Sequence, residues 1–381
     1  AGCTTDMRLV GAAPLFLAAA AAAAPARVGA GVLDIIPPVF AEPLRFEASG
    51  GRIKTGGQAG GWSSFATKGV TWFGSEARNG PPAGLCAHPI GWYLDFMAAH
   101  SFNALRLLFN HQSVLRDEPI EDSEICHAAG LAGLSYLQMF QEIARLAAAR
   151  GILILMACHR LDPDAWPGGG LWYDEKISED MVMLSWSKLS AALCNTSWNV
   201  YAVDDGLLHL SRRALTSLVH MHLTMDTDGH VSVTSQVDLV NEPHASSWGF
   251  GRPETDWDKA AARLGNHVLS QCSRWLVFVE GVGHTPGAPG ANSKHHSAQI
   301  FWGENLVGVA DAPVELEQAG RLVFSPHAYG PSVWEMTYFE DETFPSNMDA
   351  IWQVPRLTLC SVCVRPVHPA YHRAIGPVQH L

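Results

Sequence analysis

The stretch Val237-Asp238-Leu239-Val240-Asn241-Glu242-Pro243-His244 sets a carboxyl and a carboxamide side by side at the end of a short apolar run. Such a run reads as a buried strand, and the proline ends its ladder because it has no N–H to donate. Glu242 then stands at the C-terminal tip of a strand, where an acid can take up and release a proton. The bland alternative is a solvent-facing Glu in an ordinary turn.

Other reactive side chains occupy similar places. Arg106 interrupts the apolar run Ala104–Phe109, and a buried guanidinium is costly unless an anion faces it. His159 and Arg160 follow the apolar run from Ile152. A lone His there is more often a satisfied core residue. His327 and Tyr329 are two apart after Leu322-Val323-Phe324-Ser325, so an extended backbone puts them on one face. Near the C-terminus, Cys360, Cys363, His368 and His372 are zinc-ligand types. Only four residues separate the two pairs, where a zinc finger needs about a dozen. Pro366 and Pro369 also oppose a helix. No metal and no cofactor is assigned.

These groups need a scaffold. Val70–Phe73, Ala104–Phe109, Ile152–Ala157, Val237–Val240, Trp275–Glu280 and Leu322–Ser325 read as strands. Ile90–His100, Tyr136–Arg150, Met181–Leu193 and Trp257–Leu269 read as helices between them. Gly151 stands where a helix C-cap glycine belongs. Strands alternating with helices imply a parallel α/β sheet, either open and doubly wound or closed into a barrel. No glycine-rich phosphate fingerprint follows the first strand, which weakens a nucleotide-binding version.

The chain has 381 residues, ample for one barrel domain. Its 37 acidic against 25 basic residues leave a formal charge of −12, which argues against a nucleic-acid partner. Thirteen tryptophans supply flat aromatic faces beyond what a core requires. Met7-Arg8, the apolar run Leu9–Ala24 and Ala24-Pro25-Ala26 read as a secretory leader rather than a membrane anchor. Residues 1–26 are therefore an extension plus signal peptide, and 27–47, rich in Ala, Gly and Pro, a linker. Eight cysteines in an exported chain allow disulfides, but their pairing is not readable. Cys158 is expected to be a buried thiol.

Taken together, Trp72-Phe73-Gly74, Arg106, His159-Arg160, Asn241-Glu242-Pro243-His244, Val279-Glu280-Gly281 and His327-Ala328-Tyr329 occur in the order seen in glycoside hydrolase family 5. The resemblance is to its secreted endo-β-1,4-glucanase branch. Leu171-Trp172-Tyr173, Phe301–Leu306 and Thr343–Met348 support it, and it covers residues 48–352. It implies a (β/α)8 TIM barrel, a β-glucan polysaccharide as substrate, and a monomer with neither nucleic acid nor membrane as partner. It also implies that Glu242 is the general acid/base, kept protonated near neutral pH, and that Asn241 bonds the sugar 2-OH. Arg106, His327 and Tyr329 would face the nucleophile carboxylate, and His159 would contact sugar. Trp72, Trp172 and Trp302 are the substrate-binding aromatics.

The chain departs from the family in two places. The resemblance stops near Trp352, and residues 351–381 contain no Asp or Glu. The nucleophile and the last two strands therefore lack counterparts, and the barrel reads as truncated after about six strands with an unrelated tail at 353–381. Upstream, Asn199–Asp204 already reads as a strand start, so 205–238 is an atypical insertion: a retained intron or a helical hairpin spanning Leu207–Met225. Without the nucleophile, a carbohydrate-binding protein that performs no catalysis is the main alternative. A zinc hydrolase using the histidines is a third.

Overall fold

The computed structural model describes residues 45–56, 61–65, 68–120, 125–194, 237–283, 301–331, 333 and 336–348. The leader, the linker up to residue 44, nearly all of the insertion and the Cys/His tail lie outside the described residues. So do Cys3, Cys360 and Cys363.

A three-stranded antiparallel sheet comes first: β1 (Phe46–Ser49), β2 (Arg52–Gly56) and β3 (Trp62–Ser64). Its strands are short and mostly half-exposed, so no apolar run in the sequence marks them. It joins the chain just ahead of the last strand of the main sheet. There Ala48 N–H donates to Gly320 O at 2.9 Å, and the Arg321 guanidinium donates to Phe46 O at 2.7 Å.

The main sheet has six parallel strands in sequential order: β4 (Gly69–Trp72), β5 (Ala104–Asn110), β6 (Leu153–Arg160), β7 (Val237–Asp238), β8 (Val277–Val279) and β9 (Leu322–Phe324). Among the described helices, α1 (Ile90–Ala99), α3 (Tyr136–Ala148), α4 (Glu179–Leu193) and α5 (Trp257–Gln271) connect them, and the short α2 (His111–Arg116) follows β5. This is the repeated β/α unit of a (β/α)8 barrel, with six strands present among the described residues.

Local sequence explains the elements. Helix α3 opens with a capping box, in which the Ser135 hydroxyl accepts from Gln138 N–H and the Gln138 side chain accepts from Ser135 N–H. It buries Tyr136, Met139, Phe140, Ile143 and Ala147 on one face, and Gly151 takes the left-handed conformation just beyond it. Strand β5 is buried along its length except at Arg106. Each of its fully buried aliphatic side chains contributes about 1.5–3 kcal/mol through transfer from water.

Of two disulfides, Cys86–Cys126 joins two loops and Cys194–Cys272 joins the C-terminal ends of α4 and α5, while Cys158 is a buried free thiol. Among the described residues no helix is long and apolar enough to cross a membrane.

Candidate active site

The reactive side chains gather at the C-terminal ends of the strands. Arg106 rises from β5, and Asp238 ends β7 with Asn241 and Glu242 just beyond. Glu280 follows β8, and His327 and Tyr329 follow β9. Strand β7 is only two residues long, but it pairs in register with β6 through Met156 and Ala157 and with β8 through Val277 and Phe278. That double pairing holds the Asn241–Glu242 tip in place. Val237 and Asp238, which the sequence places both at the start of the fourth strand and at the end of the atypical segment, belong to the sheet.

Glu242 is buried and has a left-handed backbone, with φ of 50°. That conformation is uncommon for a residue with a Cβ and tends to mark a functional constraint. Its N–H donates to Glu280 Oε2 at 2.7 Å. The His327 Nδ1 lies 2.9 Å from Glu242 Oε1, and the Tyr329 hydroxyl donates to the same oxygen. On the other side of the ring, His327 Nε2 lies 2.8 Å from Glu280 Oε1. One imidazole therefore bridges two carboxyl groups.

The sign of the Glu242 perturbation differs from the sequence expectation. Burial pushes its carboxyl up, but the hydrogen bonds and charge of His327 and the Tyr329 hydroxyl outweigh it, and the net shift is downward. The resting site thus holds Glu242 ionised rather than protonated. Burial pulls His327 down, yet Glu280 and Glu242 raise it to about 10 overall, so it is an imidazolium donating from both nitrogens. Burial and the bond to Glu242 push the Tyr329 phenol well up.

Arg106 finds the anions its burial required, though not the expected one. Its Nη2 donates to Asp238 Oδ2 at 2.6 Å and to Asn241 Oδ1 at 2.9 Å, and it lies 3.4 Å from Glu280 Oε1. Burial and the neighbouring Glu280 carboxylate push Asp238 well up, and Arg106 only partly offsets them. The resemblance implied that Arg106, His327 and Tyr329 face a nucleophile. Among the described residues they face Asp238, Glu280 and Glu242. Asp238, Glu280 and His327 present ligand atoms within 4.8 Å of one another, as a metal site would. The Arg106 guanidinium already supplies the cation there, and the imidazolium form of His327 has no lone pair to offer.

His159 ends β6, with its ring stacked on Trp166 at 4.7 Å and an interplanar angle of 12°. Burial, then Arg106 and Arg160, lower it to about 4, so it is neutral at pH 7. Among the described residues its Nδ1 is buried with no hydrogen-bond partner. A shallow cleft opens here, lined by His159, Arg160, Asn241, Glu242 and the Gly168–Gly170 loop.

The tryptophans divide. Trp302 is 38% exposed and stacks on His244 at 3.8 Å, beside the Glu242 turn. Trp172 is fully buried, with its indole N–H on Glu179 and its ring against Trp257. Trp72 is buried, and its N–H donates to Ala83 O. Neither has a free face for a sugar, which corrects their assignment as substrate-binding residues. Three residues of the site carried no role in the sequence reading. Glu280 ends an apolar strand just as Glu242 does, and Asp238 interrupts an apolar run just as Arg106 does. Those signals were present in the sequence. Trp166, 49% exposed, sits in a loop without periodicity and gave none.

Residues 235–356 match the family model for cellulase (glycosyl hydrolase family 5). The chain is 32% identical over 292 residues to an endoglucanase of Paenibacillus polymyxa, an alignment covering 75% of this chain and 62% of that protein. Among solved structures, the catalytic domain of the major endoglucanase from Xanthomonas campestris pv. campestris is 30% identical, with a TM-score of 0.61 over 79% of this chain and 75% of that one. The hyperthermophilic endocellulase of Pyrococcus horikoshii is 28% identical, with a TM-score of 0.66 over 84% of this chain and 78% of that one. The chain thus spans less than two thirds of the full length of the Paenibacillus relative.

Proposed function

The chain belongs to glycosyl hydrolase family 5, and on that premise we propose that it carries the acid/base half of a retaining β-1,4-glucanase, with Glu242 as the proton carrier. One observation carries the reading. Glu242 stands at a strand tip facing a cleft, with two donors on one carboxylate oxygen and its backbone held by a second carboxylate.

In this reading the leaving glycosidic oxygen draws its proton through Glu242 from the His327 imidazolium, whose Nδ1–H lies on the Glu242 carboxylate. The same pair later takes a proton from the attacking water. The Asn241 carboxamide oxygen is committed to Arg106, so its NH2 is the donor for a sugar hydroxyl. Neutral His159 lines the cleft and contacts the sugar. Trp302 offers a face for stacking.

The retaining mechanism needs a second carboxylate about 5–5.5 Å from the first, free to attack the anomeric carbon. Asp238 and Glu280 are buried and engaged with Arg106 and His327, so neither is that group, and residues 351–381 carry no carboxylate. In this reading the nucleophile has no counterpart among these residues. The catalytic unit is residues 48–352, interrupted by the insertion before β7 and acting as a monomer on β-glucan, with the 353–381 tail outside it. The leader at 1–26 and the two disulfides fit an exported protein.

A small external anion can take the place of a missing nucleophile, which gives the test. The viscosity of carboxymethylcellulose is followed with and without added azide. Azide-dependent chain scission is the predicted result. The engaged carboxylates favour a second reading, a carbohydrate-binding protein without catalysis, for which cello-oligosaccharides bind and azide changes nothing.

A further inference from the structure

Glu280 has no part in the proton transfer described above, yet it touches both residues that do. Its two carboxylate oxygens are used separately. Oε2 accepts from the Glu242 N–H at 2.7 Å, and Oε1 accepts from His327 Nε2 at 2.8 Å, with Arg106 a further 3.4 Å contact on the same atom. The side chain is fully buried. Its backbone is pinned from behind by the Trp257 indole N–H, which donates to Glu280 O at 2.9 Å.

The surroundings leave no slack. A Cβ placed on Gly303, whose φ is 80°, would come within 2.7 Å of Glu280 Oε2 and 3.2 Å of both Glu242 Cγ and His327 Cβ. Gly303 O in turn accepts from the N–H of Gly281 at 2.9 Å and of His327 at 3.1 Å. Three separate strand ends are thus drawn together around one carboxylate. A glycine at 303 is what lets them close.

We propose that Glu280 is the positioning residue of this site, fixing with one oxygen the left-handed turn of Glu242 and with the other the His327 ring that serves it. The chemistry demands a carboxylate at this position. A glutamine of the same shape offers one acceptor oxygen and one NH2, and the NH2 would meet either the Glu242 N–H or the His327 N–H donor to donor. An aspartate keeps the charge but reaches one partner fewer. The groups facing His327 are Glu280 beyond β8, Glu242 and Asp238 on the β7 segment, Arg106 on β5 and Tyr329 beyond β9. Of these, Glu280 alone contacts the Nε2 side of the ring.

The inference rests on Glu242 as proton carrier, but its first readout does not. Imidazole ¹H–¹⁵N spectra of His327 are recorded from about pH 5 to pH 11 in the wild type, Glu280→Gln and Glu280→Asp. The wild type should stay doubly protonated past neutrality, with a midpoint near 10. Glu280→Gln should lower that midpoint by more than about one pH unit, a tenfold change in acidity constant, and Glu280→Asp by less. If Glu280→Gln does not fold, the aspartate variant decides alone. An unchanged His327 midpoint in a folded variant overturns the proposal. The second readout is azide-supported turnover, in which Glu280→Gln should cut kcat at least about tenfold and leave KM little altered. A shifted His327 midpoint with no turnover in any variant, the wild type included, would support the positioning role and reject the glycosidase reading.

Discussion

The backbone N–H of Glu242 donates to the carboxylate of Glu280 at 2.7 Å, tying the tip of one strand to the tip of the next. The bond explains how Glu242 keeps a φ of 50°. A strained turn persists only when its neighbours over-determine it. It also makes the site testable piece by piece.

The His327 ion pairs give stability a defined pH dependence. Its folded-state value of about 10 lies above the unfolded 6.5. The stabilisation is therefore complete below about pH 6.5 and is lost as pH rises through 10, at up to about 1.4 kcal/mol per pH unit. Urea denaturation at a series of pH values should show this fall in the wild type, and His327→Gln should remove it. Parallel curves for the two proteins would contradict the assignment.

Gly303→Ala should damage the site more than the fold. The added Cβ collides with Glu280 Oε2 and crowds Glu242 and His327, and the positive φ adds backbone strain. A stability loss of about 1–3 kcal/mol and loss of azide-supported turnover are expected, with the far-ultraviolet circular dichroism unchanged. Normal turnover would show that the three strand ends need not meet so closely.

Trp172 and Trp302 should respond in opposite ways to alanine. Trp172 is a core residue, so Trp172→Ala should cost about 3–5 kcal/mol of stability. Trp302→Ala should barely change stability but weaken cellotetraose binding by about 0.5–1.5 kcal/mol, read by calorimetry. Equal binding by the wild type and Trp302→Ala would show that it does not stack on the sugar.

Reduction of the disulfides should destabilise the scaffold. Cys194 and Cys272 are 78 residues apart in sequence, so cross-linking them restricts the unfolded chain considerably. Cys272→Ser should lower stability by about 2–5 kcal/mol, seen as a reduced urea midpoint. Cys158 is a buried free thiol whose burial pushes it well up, and it should resist alkylation in the native state.

Much of this was legible in the residues, for reasons that particular elements make plain. The six parallel strands announced themselves as apolar runs, because both faces of such strands are covered. Helix α3 could be read from its apolar spacing and from Gly151. The partner of Arg106 could be anticipated only as an anion, since which carboxylate meets it depends on how β7 and β8 lie in register. The protonation of Glu242 was read with the wrong sign for the same reason. Burial is visible in a sequence, but the two donors that outweigh it come from the far end of β9. Trp72 and Trp172 were misplaced because residue type alone does not say whether an indole face is covered.

The central claim, that Glu242 carries the proton, is tested most directly by product analysis with an alkyl β-cellobioside, whose poor leaving group needs an acid, in the presence of azide. Azide forms the new bond to the anomeric carbon from the face opposite the leaving group, and the departing alkoxide oxygen takes the proton delivered by Glu242. The account predicts α-cellobiosyl azide from the wild type and about 10²–10⁴-fold less from Glu242→Gln at equal substrate binding. Equal yields from the two proteins, or binding with no azide product from either, would contradict it.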